Sequence, residues 1–349
     1  MSLMKQNCCV HLVGSVPLDD ARQVFCAVSQ LVGPYVARIP DGETGRRSEW
    51  IRWQMAVMET TAFLERKTIA VRGLYGESTE RSVFAPRKDV AEEGWEFGPL
   101  GYAKAAIASF GVFAAMKRAG DILPHIRFQV ALPTPLAPIN SYVDPAHFFA
   151  VEAVYHKRML VEVNEILAAI PNDQLSIQWD TAVEFAILEK VLPSPLNGQT
   201  ADIVSRLIRL GNLIPAEVEL GYHFCYGDSG HKHFKEPDNC NLLVEVAKGV
   251  SEGVRRRLDW LHFPVPVARD DEAYFESLKL LRLPSETAIY LGLIHLRDGQ
   301  PGAKRRIEAA TKFITRFGIA TECGFGRRPV DVVEKLLRLH AEIARSLVF

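Results

Sequence analysis

Long hydrophobic runs are missing from this chain. No stretch of about 18 uninterrupted apolar residues exists, so no transmembrane helix is expected. The N-terminus lacks a basic region followed by a long apolar core, so no secretory signal is expected. Met1-Ser2-Leu3 ahead of Met4 reads as an added leader. Neither sign of charge prevails: 41 basic residues face 42 acidic ones, and the net charge is −1. No global field then favours nucleic acid or an anionic membrane, and neither is expected as a partner. Cysteine is scarce, with six in 349 residues, at positions 8, 9, 26, 225, 240 and 323. Their spacing forms no disulfide framework, so a reducing, cytoplasmic setting is expected. The Gly-rich phosphate turn of an open dinucleotide-binding sheet is also missing after the first strand, where Gly14-Ser15-Val16-Pro17 stands instead.

What is present is an ordinary globular composition, 48% apolar and 24% charged. Val10–Val13 reads as a short strand, and a helix follows from Asp19 or Asp20 with Ala21, Val24, Phe25, Val28 and Leu31 at helical spacing. Tyr35–Ile39 reads as the second strand. Roughly 85 residues then precede the next clear strand, far more than an αβ unit needs. They include a possible extra strand at Thr68–Val71 and an Ala-rich helix near Tyr102–Lys117. Strands are further expected at Ile126–Leu132, Leu175–Asp180, Val218–Cys225, Leu258–Phe263, Thr287–Ile294 and Gly318–Cys323. A helical pattern separates each pair, and one of these helices has Pro145 in its first turn. A final amphipathic helix runs from Val330 to Leu347. Eight strand–helix units predict a (β/α)₈ TIM barrel over residues 1–349, with 44–124 a decorating insertion after strand two. The basic runs at Arg255–Arg257 and Lys304–Arg306 read as solvated helix faces.

In such a barrel, function gathers at the C-terminal ends of the strands. His223 and Cys225 lie two apart on one strand and project to one face. Cys323, at the end of the last strand, is a third candidate. An imidazole and two thiolates with one open position suit catalytic zinc. On strand four Leu175, Ile177 and Trp179 should meet the helices, while Ser176, Gln178 and Asp180 enter the barrel, with Glu184 just beyond. His262, between apolar Leu261 and Phe263, should also point inward. Taken singly, a cysteine is more often a small buried apolar residue, and that reading holds for Cys8, Cys9, Cys26 and Cys240. His231 and His233 read as exposed loop residues.

These strand-end motifs together resemble the C-terminal catalytic barrel of cobalamin-independent methionine synthase and the related zinc-dependent thiol alkyltransferases. Gly14-Ser15-Val16-Pro17 is similar to that family's Gly-Ser-Phe-Pro. Asp41-Gly42-Glu43 with Arg46 is similar to its His-Gly-Glu turn and nearby arginine. Ile177-Gln178-Trp179-Asp180, His223-Phe224-Cys225-Tyr226, Ile294-His295 and Glu322-Cys323-Gly324 match further motifs in the same order. The resemblance implies zinc on His223, Cys225 and Cys323. It implies that Gly14, Ser15, Glu43 and Asp180, with Gln178 in the same motif, hold a homocysteine-like thiol, and that His295 handles protons. It places a metal-binding carboxylate near His262, which makes His262 the expected fourth ligand. The family's Glu-Pro after the strand-four aspartate is Thr181-Ala182 here. Its second barrel, which helps bind the folate polyglutamate donor, has no counterpart in these 349 residues.

The expected chemistry is methyl or alkyl transfer to a small thiol, as in methionine biosynthesis, since only a thiolate is a good nucleophile. A zinc hydrolase with Glu184 or Glu322 as base is the alternative on the same barrel. A glycosidase using Glu43 and Glu184 would leave the cysteines unexplained. A zinc- or thiol-binding protein without turnover is the reading outside enzymology.

Overall fold

The computed structural model of the chain describes residues 9–72, 78–228 and 232–347. Met1 to Leu3, Cys8 and His231 fall outside them. Asp20 caps the first helix, its carboxylate accepting from the Gln23 backbone N–H at 2.9 Å. Helix α1 (Ala21–Val32) buries Val24, Phe25 and Val28 as expected, with Val32 in place of Leu31, which is half-buried like Ala21. Pro34 starts a 3₁₀ turn at Gly33–Tyr35, so the next strand, β1 (Arg38–Pro40), begins later than its sequence pattern indicates.

The stretch after β1 holds α2 (Gln54–Thr60) and a hairpin of β2 (Leu64–Arg72) with β3 (Ser78–Pro86), antiparallel throughout. The expected extra strand at Thr68–Val71 thus lies in the second half of β2. Helix α3 (Tyr102–Ala119) then packs against α1 and returns the chain to β4 (Arg127–Pro133). Short α4 (Leu136–Tyr142) precedes α5 (Phe148–Ala169), and Pro145 sits in a 3₁₀ turn between them. The remaining elements are β5 (Leu175–Thr181), α6 (Ala182–Leu188), α7 (Thr200–Gly211), β6 (Glu219–Phe224), α8 (Asn241–Gly253), β7 (Trp260–Pro264), α9 (Glu272–Phe275), β8 (Ala288–Gly292), α10 (Gly299–Thr311), β9 (Gly318–Ile319) and α11 (Val333–Ser346).

Seven strands form one parallel sheet in the order β1-β4-β5-β6-β7-β8-β9. Val10, expected within a first strand, makes parallel bridges to both edges, to Val36 beside β1 and to Ile319 of β9. Around the outside α11 packs on α1, and α1 on α3. The curled sheet, its helical cover and these bridges agree with a TIM-like barrel.

One end of the barrel interior is filled by a polar plug. Arg38 is 2% exposed; its guanidinium bonds Glu219 at 3.1 Å and lies 3.9 Å above the Trp260 ring. The two basic runs are not fully solvated as expected. Arg306 is buried in a two-pronged bond to Asp298, at 2.7 and 2.8 Å. Arg256 bonds the Val218 carbonyl at 2.6 Å and Asp259 at 3.0 Å, while Arg255 and Arg257 stay toward solvent. Among the described residues no helix is long and apolar enough to cross a membrane.

Candidate metal and thiol site

Parallel pairing sets the row on which the site is built. Asp180 on β5 is opposite His223 on β6, and His223 is opposite His262 on β7. Side chains in such a row share the barrel interior, because strand residues alternate between faces. Asp180, Gln178 and His262 accordingly point inward, as expected. Cys225 lies just beyond the end of β6, two residues from His223 and on the same face.

Cys323 comes from further past its strand than expected. Pairing of β9 ends at Ile319, and the next residues form the turn that carries the thiol. Thr321 shapes that turn: its hydroxyl donates to the Cys323 carbonyl at 2.6 Å. One ligand atom each of His223, Cys225 and Cys323 lies within 4.8 Å of the others. The two sulfurs are 3.7 Å apart. Two zinc–sulfur bonds of about 2.3 Å at a tetrahedral angle would place them about 3.8 Å apart, whereas a disulfide needs about 2.05 Å. Among the described residues His223 Nε2 is buried without a partner. The donor set therefore fits a tetrahedral thiophilic metal.

His262 is fully buried, but not as an open ligand. Its Nδ1 is 2.7 Å from His223 Nδ1, and its Nε2 is 2.9 Å from the Thr321 carbonyl oxygen. Both ring nitrogens are engaged, so the expected fourth-ligand role has no free nitrogen to perform it. Burial lowers the pKa of His262 to about 4; burial, with His262 beside it, also holds His223 well below its usual value. The Cys323 thiol is pushed well up, first by its hydrogen bond with Cys225 and then by burial.

The triad opens on a cavity of about 420 Å³, lined also by Gly14, Ser15, Glu43 and Asp180. Glu43 sits on the turn after β1, where Gly42 has φ +81° and a Cβ there would lie 2.6 Å from Val24. Only glycine tolerates that position. Glu43 itself has φ +49°, a left-handed conformation uncommon for glutamate. Its N–H donates to Asp41 Oδ1 at 2.9 Å, and Asp41 Oδ2 accepts from Arg47 at 2.6 Å and from Ser109 at 2.8 Å. The inward arginine is thus Arg47, and Arg46 of the expected motif is exposed. Burial raises Glu43 to about 7, against the pull of Arg47. Burial, and then the charge of Glu43, raises Asp180 well above the carboxylate range.

Gln178 stands behind Asp180 rather than in the cavity lining. Its amide N–H donates to Asp180 Oδ1 at 2.9 Å and to the Val13 carbonyl at 2.6 Å, and its Oε1 is 2.9 Å from His11 Nε2. Glu184 is likewise buried outside the lining, bonded to the Thr134 hydroxyl, and burial raises it to about 7. His295 is 4% exposed and also lies outside the lining; its Nε2 donates to the Val265 carbonyl at 2.8 Å and its Nδ1 is 3.8 Å from Glu322.

His233, expected in solvent, lines the cavity instead. Its ring lies between Glu322 at 3.2 Å and Glu236 at 3.1 Å. Burial opposes its charge, but Glu322 and then Glu236 outweigh burial and lift its pKa to about 9. Its principal partner, Glu322, is 89 positions away, so no local pattern signals the pairing. Arg327, Lys232 and Trp50 are further lining residues without an assigned role in the sequence reading. Val183, Ala186, Val191, Leu192 and Phe234 make an apolar wall. Cys9 and Cys240 are buried away from the site, and Cys26 touches Gln30.

No protein-family model matches the chain, and no curated protein matches it. Solved structures do. A B12-independent methionine synthase from Shewanella sp. W3-18-1, solved in complex with selenomethionine, superposes with a TM-score of 0.58 at 17% identity, over 93% of this chain and 86% of that one. A candidate vitamin-B12-independent methionine synthase from Listeria monocytogenes superposes at 0.56 and 12% identity, over 97% of each chain. These structural neighbours belong to the family that the strand-end motifs resemble, and at this identity the likeness establishes the fold.

Proposed function

We propose that this protein is a zinc-dependent methyl- or alkyltransferase whose acceptor is a small thiol. The observation that carries the reading is the 3.7 Å sulfur separation of Cys225 and Cys323 beside the unpartnered His223 Nε2, at the wall of a cavity that also holds two carboxyls. His223, Cys225 and Cys323 would hold the metal. Zinc would supply a Lewis acid that keeps a bound thiol as its thiolate.

The chain's own groups do the rest. Glu43 and Asp180, once ionised, accept the ammonium group of an amino-acid thiol such as homocysteine. Gln178 fixes the orientation of Asp180 through its 2.9 Å bond. Ser15 holds the far rim together, its hydroxyl accepting from the Gly326 N–H at 3.2 Å. The apolar wall of Val183, Ala186 and Leu192 keeps water from the reacting centre. Protons assigned to His295 would pass by Glu322, which also holds His233. The selenomethionine bound by the Shewanella neighbour is the selenium form of a methylated amino-acid thiol, and supports an acceptor of that class. This reading takes residues 1–349 as one barrel domain, with 44–124 as its elaboration, in a reducing cytoplasm.

The test is elemental analysis of protein purified without added zinc, joined to a methyl-transfer assay with a panel of thiols. About one zinc per chain is expected, lost in Cys225→Ser with Cys323→Ser, together with transfer to at least one thiol. Zinc-free protein, or zinc unaffected by both substitutions, overturns the metal reading. Zinc with hydrolysis and no thiol product favours a hydrolase.

A further inference from the structure

We infer that His262 is a positioning residue that fixes the ring tautomer of His223 and so presents Nε2 of His223 to the metal. The inference rests on the metal reading above. His262 Nε2 is 2.9 Å from the Thr321 carbonyl oxygen. A carbonyl only accepts, so the hydrogen of His262 is on Nε2. In a neutral imidazole the other nitrogen, Nδ1, then carries only a lone pair. That Nδ1 is 2.7 Å from His223 Nδ1. His223 must therefore donate from Nδ1, which leaves its Nε2 with a lone pair. Nε2 of His223 is the nitrogen that is buried without a partner among the described residues.

One backbone carbonyl thus sets two rings in sequence. Thr321 belongs to the turn that carries Cys323, two residues on, so the same turn supplies one metal thiol and sets the tautomer of the metal imidazole. The strand register keeps the chain of bonds in place, since His223 and His262 are cross-strand neighbours. Below them, His11 stacks on Tyr290 with centroids 4.9 Å apart and lies 5.9 Å from His262, which is fully buried. Metal-bound histidines commonly use their second nitrogen in this way, and losing the partner typically costs about 10- to 100-fold in metal affinity.

The test combines tautomer and affinity. Nitrogen-15 NMR of metal-free protein should show the hydrogen on Nε2 of His262 and on Nδ1 of His223. His262→Phe keeps a ring but removes the acceptor. It should weaken zinc, measured by chelator competition, by about 10- to 100-fold, and give His223 mixed tautomers. His262→Asn places an amide oxygen near the position of Nδ1 and should recover most of the affinity. Should His262→Phe fail to fold, the wild-type tautomers and the Asn variant decide. A hydrogen on His223 Nε2, a folded Phe variant with wild-type affinity, or a Phe variant as defective as His223→Ala each overturns the inference. Wild-type protein that binds no zinc overturns the metal reading itself; zinc-binding wild type with an unaffected Phe variant overturns only the role of His262.

Discussion

Glu43 and Asp180 are two carboxyls held in one cavity, and the charge of Glu43 raises the cost of ionising Asp180. Glu43 is lifted to about 7 by burial, and Asp180 well above its ordinary value by burial and by Glu43. A raised carboxyl is protonated, hence neutral, below its pKa and becomes a charge partner above it. The affinity of zinc-free protein for an amino-acid thiol should therefore rise as pH rises through about 7. A thiol lacking the ammonium should show no such rise. Titration calorimetry from pH 6 to 8 checks this, and Glu43→Gln should flatten the curve. Equal pH dependence for both thiols would mean that the carboxyls do not meet an ammonium. Legibility at this scale was uneven. The sequence pattern directs Asp180 inward by strand alternation. It cannot reveal that Arg47 rather than Arg46 turns in, because adjacent residues in a 3₁₀ turn differ in direction by tertiary packing alone.

Among the elements, the turn after β9 has several contacts to satisfy at once. It carries Cys323, supplies the Thr321 carbonyl, and packs on the Ser15 loop. A Cβ at Gly324 would lie 2.3 Å from Ser15 Oγ and 3.0 Å from its backbone nitrogen. No side chain fits there without displacing the turn. Gly324→Ala should cost about 1–3 kcal/mol of stability and weaken zinc as well, because Cys323 is the preceding residue. Gly98, with nothing within 4 Å of a built Cβ, is the control, and Gly98→Ala should stay within about 0.5 kcal/mol of wild type. Urea unfolding with parallel zinc titration measures both. Gly324→Ala that leaves both unchanged would show a turn slack enough to absorb a methyl group.

For the molecule as a whole, the polar plug ties distant strands together. Arg38 on β1 meets Glu219 on β6, and Glu219 also accepts from Ser176 on β5 at 2.7 Å. Trp260 on β7 lies under the same guanidinium. Removing one member of a buried pair leaves an uncompensated charge, which typically costs about 3–5 kcal/mol. Arg38→Met should lower stability by less than that, about 2–3 kcal/mol, because Arg127 still faces Glu219 at 3.5 Å. Arg38→Met with Glu219→Gln should recover part of it, since the carboxylate left facing Arg127 at 3.5 Å is gone. Denaturant unfolding of the four proteins of this cycle reads the coupling directly. Additive losses would show that the pair contributes nothing beyond its separate packing.

Local patterns alone determined much of this protein. Alternation and helical spacing are properties of neighbouring residues, so α1, β5, β6 and the inward face of Gln178 and Asp180 follow from the sequence. The pairing of His223 with Cys225 also follows, because two positions on a strand share a face. Short edge elements exceed their pairing for the same reason: Val10 and the stretch after Ile319 have strand-like residues, but pairing there ends within a bridge or two. Tertiary structure alone decided the rest. It brought the thiols of Cys225 and Cys323 to 3.7 Å across 98 positions, drew His233 under Glu322, and set His262 against His223 instead of the open cavity. Each of these is a contact across strands, set by sheet register and by backbone carbonyls such as that of Thr321. A carbonyl has the same chemistry at every residue, so where it points is written only in the fold.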